Sequence, residues 1–202
     1  MAQAPNFQTE MRQLLRERAL DAAREVVCTE GWGAVNMSRL AKDVGISRPV
    51  LYKEIGTRQE LADALIEREL TTFIAGIIAT LSEHPDDPGA GMTRAAEYTL
   101  RTGADNVLLK AVLSGRHTGD TTLLPALMTE PEPVLGRAIA ALVPAMRASY
   151  DLPDLSDANL ATLAEILVRF TLSHLFQPVG PLDRAVAQIE LVVTRVYAAL
   201  HE

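Results

Sequence analysis

Residues 36–61 read NMSRLAKDVGISRPVLYKEIGTRQEL, and the spacing of their apolar side chains decides the fold. Met37, Leu40, Ala41 and Val44 recur at intervals of three and four, which predicts a short helix with one apolar side and Asn36 as its N-cap. Gly45 is the residue type best suited to the positive φ of a helix C-terminus, and Ile46 after it is expected to be a buried contact closing the turn. Ser47 then caps a second helix whose first turn admits Pro49, because an N–H missing there costs little. In that helix Leu51 turns inward, while Arg48, Pro49, Val50, Tyr52 and Lys53 face outward. Two helices joined by a short glycine-containing turn form a helix-turn-helix. Its second member offers a guanidinium, a phenol and an ammonium on one small surface, the groups that read a major groove.

Together with the preceding ALDAAREVVCTEGW, residues 19–32, this stretch resembles the DNA-binding domain of TetR-family transcriptional repressors. The resemblance lies in the small-apolar first helix, the EGW that ends it, the LAKDVGIS turn, the LYKEIGTRQEL exit and a long helix starting near Arg58. It extends to about residue 70. Ile55 stands where most members carry an aromatic, and Ser38 where several carry a basic residue that contacts bases, so no operator preference carries over. The resemblance implies that Arg48 and Pro49 face base edges, with Ser38, Arg39 and Ser47 on the same DNA-facing side. It also implies that Tyr52 and Lys53 hold phosphates and that Arg58 touches the DNA backbone.

The chain has 202 residues, 48% of them hydrophobic and 4% aromatic, enough to bury a good core in one or two domains. The N-terminus has no basic flank leading into an apolar run, and no segment reaches the ~18 uninterrupted apolar residues of a membrane helix. A cytoplasmic protein is therefore expected. Cys28, the single cysteine, cannot form an intramolecular disulfide, and its place among Val26, Val27 and Thr29 predicts packing. The net charge of −7 weighs against nucleic acid until its distribution is considered. Residues 34–58 hold Arg39, Lys42, Arg48, Lys53 and Arg58 against Asp43 and Glu54, a local +3, while the region beyond residue 70 is acidic. The helix-turn-helix is thus the one face that phosphates would approach.

Met1 to Gln8 is expected to be a disordered arm. A first helix from Thr9 to Glu30 should set Leu15, Ala19, Ala22, Ala23, Val26 and Val27 against the two shorter helices, with Gly31 stopping it and Trp32 plugging the three-helix core. Thr57 and Glu60 form a capping-box pattern for a helix reaching Ser82, in which Leu61, Leu65, Phe73, Ile77 and Leu81 serve both domains. The domain boundary is placed between an arm plus DNA-binding domain, residues 1–56, and a ligand-binding and dimerisation domain, residues 57–202.

His84 to Gly91 is dense in turn formers. Helices are expected over Thr93–Arg101 and Asp105–Leu113 with Gly103 between them, then a loop over Gly115–Thr122 with Arg116, His117 and Asp120. A short helix bracketed by Pro125, Pro131 and Pro133 follows, and another over Val134–Tyr150 with Leu135, Ile139, Leu142 and Met146 on one side. Asp157 to Gln177 is apolar almost all round except for the stripe Glu165, Arg169, Ser173 and Gln177. From Leu182 through Ala185, Val186, Ile189, Val193, Val196, Tyr197 and Leu200 the helical period persists. VRFTLSHLF, its proline turn and the valine-rich last helix resemble the final two helices of TetR-family members, which build a homodimer as a four-helix bundle. The expected seam is 157–177 with 181–201, Val193 lying at its middle. The other reading is two core helices of a monomer.

Nothing here assembles catalytic chemistry. His84, His117, His174 and His201 are scattered, and there is no HExxH, paired cysteine or nucleophile elbow, so neither an enzyme nor a metal or cofactor is expected. The fold class is all-α: an N-terminal three-helix DNA-binding domain followed by a helical ligand-binding and dimerisation domain. The function that the resemblance implies is a repressor that binds a palindromic operator in double-stranded DNA as a homodimer and is released by a small, mainly hydrophobic ligand. A ligand-independent architectural or non-specific DNA binder is the alternative, and an enclosed apolar cavity in residues 70–180 would separate the two. Phe73, Ile77, Tyr98, His117, Met146, Phe170 and His174 are the candidate ligand contacts, although aromatic side chains at helical spacing serve equally as core.

Overall fold

In the computed structural model, which describes residues 7–106, 108 and 134–200, every regular element is helical. Helix α1 (Phe7–Glu30) buries Ala19, Leu20, Ala23, Val26 and Val27, while Leu15 and Ala22 are half-covered. Cys28 is exposed rather than packed. It lies a further ~100° around the helix from Val27, which carries it off the apolar stripe and onto the face of Glu25 and Thr29. Gly31 ends α1 at φ 84°, and a 3-10 turn over Trp32–Ala34 lowers the indole into the core as expected.

Helix α2 (Met37–Val44) starts at Asn36, whose side-chain oxygen accepts the N–H groups of Ser38 and Arg39 at 2.8 and 3.3 Å. It ends in a Schellman turn: Gly45 takes φ 79°, its N–H reaches the Lys42 carbonyl at 3.1 Å, and the Ile46 N–H reaches that of Ala41 at 2.9 Å. Ile46 is only half-buried, so this turn is closed by backbone bonds more than by a buried side chain. Helix α3 (Arg48–Glu54) has Ser47 at its N-cap position, yet the hydroxyl makes no capping bond. Pro49, in the first turn, removes one of the N–H groups that a cap would accept. Helix α4 (Arg58–Ser82) has the predicted capping box: the Glu60 N–H donates to Thr57 Oγ1 at 3.2 Å and the Thr57 N–H to Glu60 Oε2 at 2.7 Å. That backbone donor holds the Glu60 carboxyl below the usual carboxylate range.

Two compact units divide within α4, between Glu69 and Leu70. In the first, α1, α2 and α3 pack on one another. Ion pairs fasten α1 to the middle of α4: Arg24 with Glu69 at 2.7 Å, and Arg68 with Glu17 and Asp21 at 3.3 and 2.8 Å.

The second unit adds α5 (Pro88–Asp105), α6 (Val134–Ser149), α7 (Asp157–Phe176) and α8 (Leu182–Ala199) to the rest of α4. The break expected to run to Gly91 ends at Asp87, whose carboxylate accepts the Ala90 N–H at 2.9 Å and so starts the helix ahead of both glycines. Gly103 does not interrupt α5 either. Both glycines make room for neighbours: a Cβ on Gly91 would lie 2.0 Å from the Tyr150 hydroxyl, and one on Gly103 would lie 2.9 Å from the Leu175 methyls. The Tyr150 hydroxyl donates to the Leu81 carbonyl at 2.9 Å, and burial pushes its pKa up to about 12.

Helix α6 buries Leu142 and Met146, with Ile139 half-covered, and helix α7 buries Leu160, Leu163, Leu167, Thr171 and Leu175. The polar stripe of α7 is as expected, with Arg169 donating to Glu165 at 2.7 Å. Helix α8 packs on α5 and α7. Val193, expected in the middle of a dimer seam, is 1% exposed within the single chain and belongs to its core. The helical period that sets Ile189 and Val193 inward leaves Leu191, two residues away, 60% exposed. The remainder of the expected 105–113 helix, the Gly115–Thr122 loop with His117, and the proline-bracketed segment lie outside the described residues, as do Met1–Asn6 and His201.

Candidate nucleic-acid interface and ligand cavity

Leu51, fully buried, anchors α3 and thereby fixes which of its side chains face outward. Arg48, Pro49, Val50, Tyr52 and Lys53 are all exposed. The Arg48 guanidinium donates to the Tyr52 hydroxyl at 3.3 Å and lies 5.3 Å from the centre of its ring, so the two hold each other in place on the open side of the helix. No hydrogen bond or ion pair within the described residues engages the ammonium of Lys42 or Lys53. Ser38 and Ser47 are exposed at the starts of α2 and α3.

The other two predicted basic contacts are committed elsewhere. Arg39 forms a forked pair with Glu30 at 2.9 and 2.6 Å and stands 3.8 Å from Asp43. That hydrogen bond raises the Arg39 pKa and holds the Glu30 carboxyl below its ordinary range. Arg58 points into the unit, donating to the Trp32 and Val35 carbonyls and covering the indole. Of the basic residues in 34–58, Arg48, Lys53 and Lys42 are therefore the ones whose cationic groups are not held by a carboxylate or a backbone carbonyl among the described residues. Lys42 counted toward the local charge but was not singled out as a contact; its exposed position on α2, between the inward Ala41 and Val44, was the available signal.

Of the candidate ligand contacts, His117 lies outside the described residues and the others lie in the second unit. Phe73 stacks on Tyr98 with ring centres 6.0 Å apart, and Phe170 meets His174 edge-on at 4.7 Å. Met146 is wholly buried and Ile77 half-covered. A cavity of about 430 Å³ opens where α5, α7 and α8 meet. Leu100, His174, Leu175, Leu182, Arg184 and Gln188 contribute to its wall, so of the predicted contacts it takes His174 alone, and it opens to solvent instead of being enclosed. The proline turn at 178–181, which the sequence marks only as a connection, also lines it. Buried polar atoms on α7, Thr171 Oγ1 and His174 Nε2, have no hydrogen-bond partner among the described residues. No described helix is long and apolar enough to cross a membrane.

Residues 19–65 match the family described as bacterial regulatory proteins, tetR family, and residues 87–195 match the bacterial tetracyclin repressor C-terminal domain. The chain is 30% identical over 167 residues to the HTH-type transcriptional regulator AlkX of Mycobacterium tuberculosis, covering 83% of this chain and 77% of that one. It is also similar to the crystal structure of the TetR family repressor AlkX from Dietzia sp. strain DQ12-45-1b, implicated in biodegradation of n-alkanes. That likeness has 26% identity and a TM-score of 0.64 over 91% of this chain and 95% of the other. A shorter match, 32% identical over 36% of this chain and 33% of its relative, is to the HTH-type transcriptional activator FasR of Mycolicibacterium smegmatis.

Proposed function

The chain belongs to the TetR family of bacterial transcriptional regulators, which are DNA-binding proteins rather than enzymes, and we propose that it is a cytoplasmic, homodimeric repressor. It binds a palindromic operator and leaves it when a small, mainly hydrophobic molecule occupies the second unit. The observation that carries this reading is the outer face of α3: an arginine steadied by a tyrosine, and beside it a lysine whose ammonium has no partner among the described residues. Side chains of this kind, presented by the second helix of a helix-turn-helix, suit base edges and phosphates. Arg48 and Pro49 face the bases, Tyr52 and Lys53 the phosphates, with Ser38 and Ser47 at the margin.

Repression rather than activation rests on the longer of the two likenesses, since the Dietzia protein is named a repressor. Dimerisation through α7 and α8 is supported by apolar surface that one chain leaves wet, with Leu191 60% and Phe176 36% exposed. A ligand shifts the equilibrium only if its affinity differs between the two spacings of the reading heads.

Duplexes selected from a random pool by the wild-type protein supply the probe. Arg48→Ala is expected to lose about 1–3 kcal/mol of discrimination between selected and scrambled duplexes, and Lys53→Ala to weaken both alike while lowering the salt slope by about one. Leu191→Glu should give a folded monomer with weakened binding. A pool that yields no common sequence would replace the repressor with the architectural binder, and apolar compounds that bind at saturation without releasing DNA would remove the ligand switch.

A further inference from the structure

Arg58 opens α4, where the family resemblance places a contact to the DNA backbone. Two of its three guanidinium nitrogens are engaged by the protein instead. Nε donates to the Val35 carbonyl at 3.1 Å and Nη2 to the Trp32 carbonyl at 2.5 Å, bonds that span 23 and 26 residues of chain. The plane lies over the Trp32 indole, 4.6 Å from its centre. The Trp32 carbonyl already accepts the Val35 N–H at 3.1 Å, so Arg58 adds a second donor to an organised turn. That turn leads directly into Asn36, the cap of α2.

We propose that Arg58 is a positioning residue for DNA recognition and not a phosphate contact: it pins the entrance of α2 to the start of α4. Everything between these two points is the helix-turn-helix. Its ends are thereby fastened to each other, and α3 is presented at a set angle before DNA arrives. Only a guanidinium does this, because its planar fork serves two carbonyls while its face covers an aromatic ring; an ammonium supplies a point charge. Turning Nε and Nη2 toward a phosphate would mean giving up both hydrogen bonds and the stacking together. Preorganisation of this kind lowers the ordering cost of binding, so its loss appears as weaker affinity without loss of an ionic contact.

The inference rests on the DNA-binding reading above, and its test separates the two. Arg58→Ala and Arg58→Lys are titrated with a duplex selected by the wild-type protein, at a temperature where circular dichroism shows each variant folded, over a series of salt concentrations. Both variants should bind about ten-fold or more weaker, with the wild-type slope of log affinity against log salt. A phosphate contact would instead lower the slope by about one in the alanine variant and leave the lysine variant near wild type. Trp32 is the single tryptophan, so its emission in DNA-free protein reports the contact directly and should shift in both variants. Wild-type affinity in folded Arg58→Lys, a reduced slope in Arg58→Ala, or unchanged Trp32 emission would each overturn the proposal. Should the alanine variant not fold, the lysine variant decides alone. If the wild-type protein selected no duplex, the repressor reading would fall while the Trp32 signal still judged the latch.

Discussion

In residues 7–69 the bonds that start and stop each helix join near neighbours in the chain, whereas in residues 70–200 the decisive contacts join residues far apart. Asn36 caps the N–H groups two and three positions on, Gly45 and Ile46 close α2 on its own last turn, and Thr57 and Glu60 cap each other. In the second unit the Tyr150 hydroxyl reaches the Leu81 carbonyl 69 residues away, Ser82 meets Ser149 across 67, and Leu175 fills the space that Gly103 leaves open. Helix ends held by local bonds keep their shape when one of them goes, because each contributes little and independently. A unit defined by close approach between distant helices has less slack, since an added methyl must displace a whole helix or a buried ring.

The largest effect should come from Val193→Glu, which strands a carboxylate in the contact of α8 with its neighbours at a cost of about 3–5 kcal/mol. Urea unfolding followed by Trp32 emission and by far-ultraviolet circular dichroism should then separate into two transitions, the second unit melting first. Coincident transitions would break the comparison by making the two units one cooperative body. Next, Gly91→Ala is expected to destabilise by about 1–3 kcal/mol through overpacking against the Tyr150 hydroxyl, even though alanine is the better helix former by about 1 kcal/mol. Combining it with Tyr150→Phe should recover much of that loss, and an additive double-mutant cycle would remove Tyr150 as the cause.

Asn36→Ala should cost about 1 kcal/mol and be felt in the first unit only, as a lower Trp32 transition. An equal shift in the second unit would show that local caps there propagate as far as long-range packing does. The smallest effect is one of pH. The Tyr150 pKa is raised in the folded protein to about 12 from 10.0, so its contribution is complete below pH 10 and is lost as pH climbs toward 12. Tyr197, raised for the same reason of burial, adds in the same sense. Stability measured through this range should therefore fall less steeply in Tyr150→Phe than in the wild type, and parallel curves would sink the assignment.

The reading head was legible almost residue by residue because its signals are short-range. Asn36, Gly45, Leu51, Gly31 with Trp32, and the Thr57–Glu60 box each act within a few positions, so the spacing that reveals them in the chain is the spacing that makes the bond. Ser47 misled because a cap residue was present while Pro49 removed one of the donors it would serve. Cys28 does not share the environment of its two neighbouring valines, because a helix turns ~100° at each step. In the second unit, Gly91 and Gly103 were read as breaks on composition, and both proved to be places where another helix needs the room.

By itself the sequence determined the fold class, the position and polarity of the helix-turn-helix, and the outward set Arg48, Tyr52 and Lys53, since helical period and capping chemistry are properties of consecutive residues. Only the tertiary structure decided which cations remain free for DNA. Arg39 and Arg58 count equally with Arg48 and Lys53 in any sum of charge, yet one is paired with Glu30 and the other is bound to the carbonyls of Trp32 and Val35. The same holds for Val193 and Leu191, both apolar on one helix, one sealed in the core and the other left wet. A side chain's type sets what it can bind, but its partner depends on which distant segment folding brings within about 3 Å, and no local pattern encodes that distance.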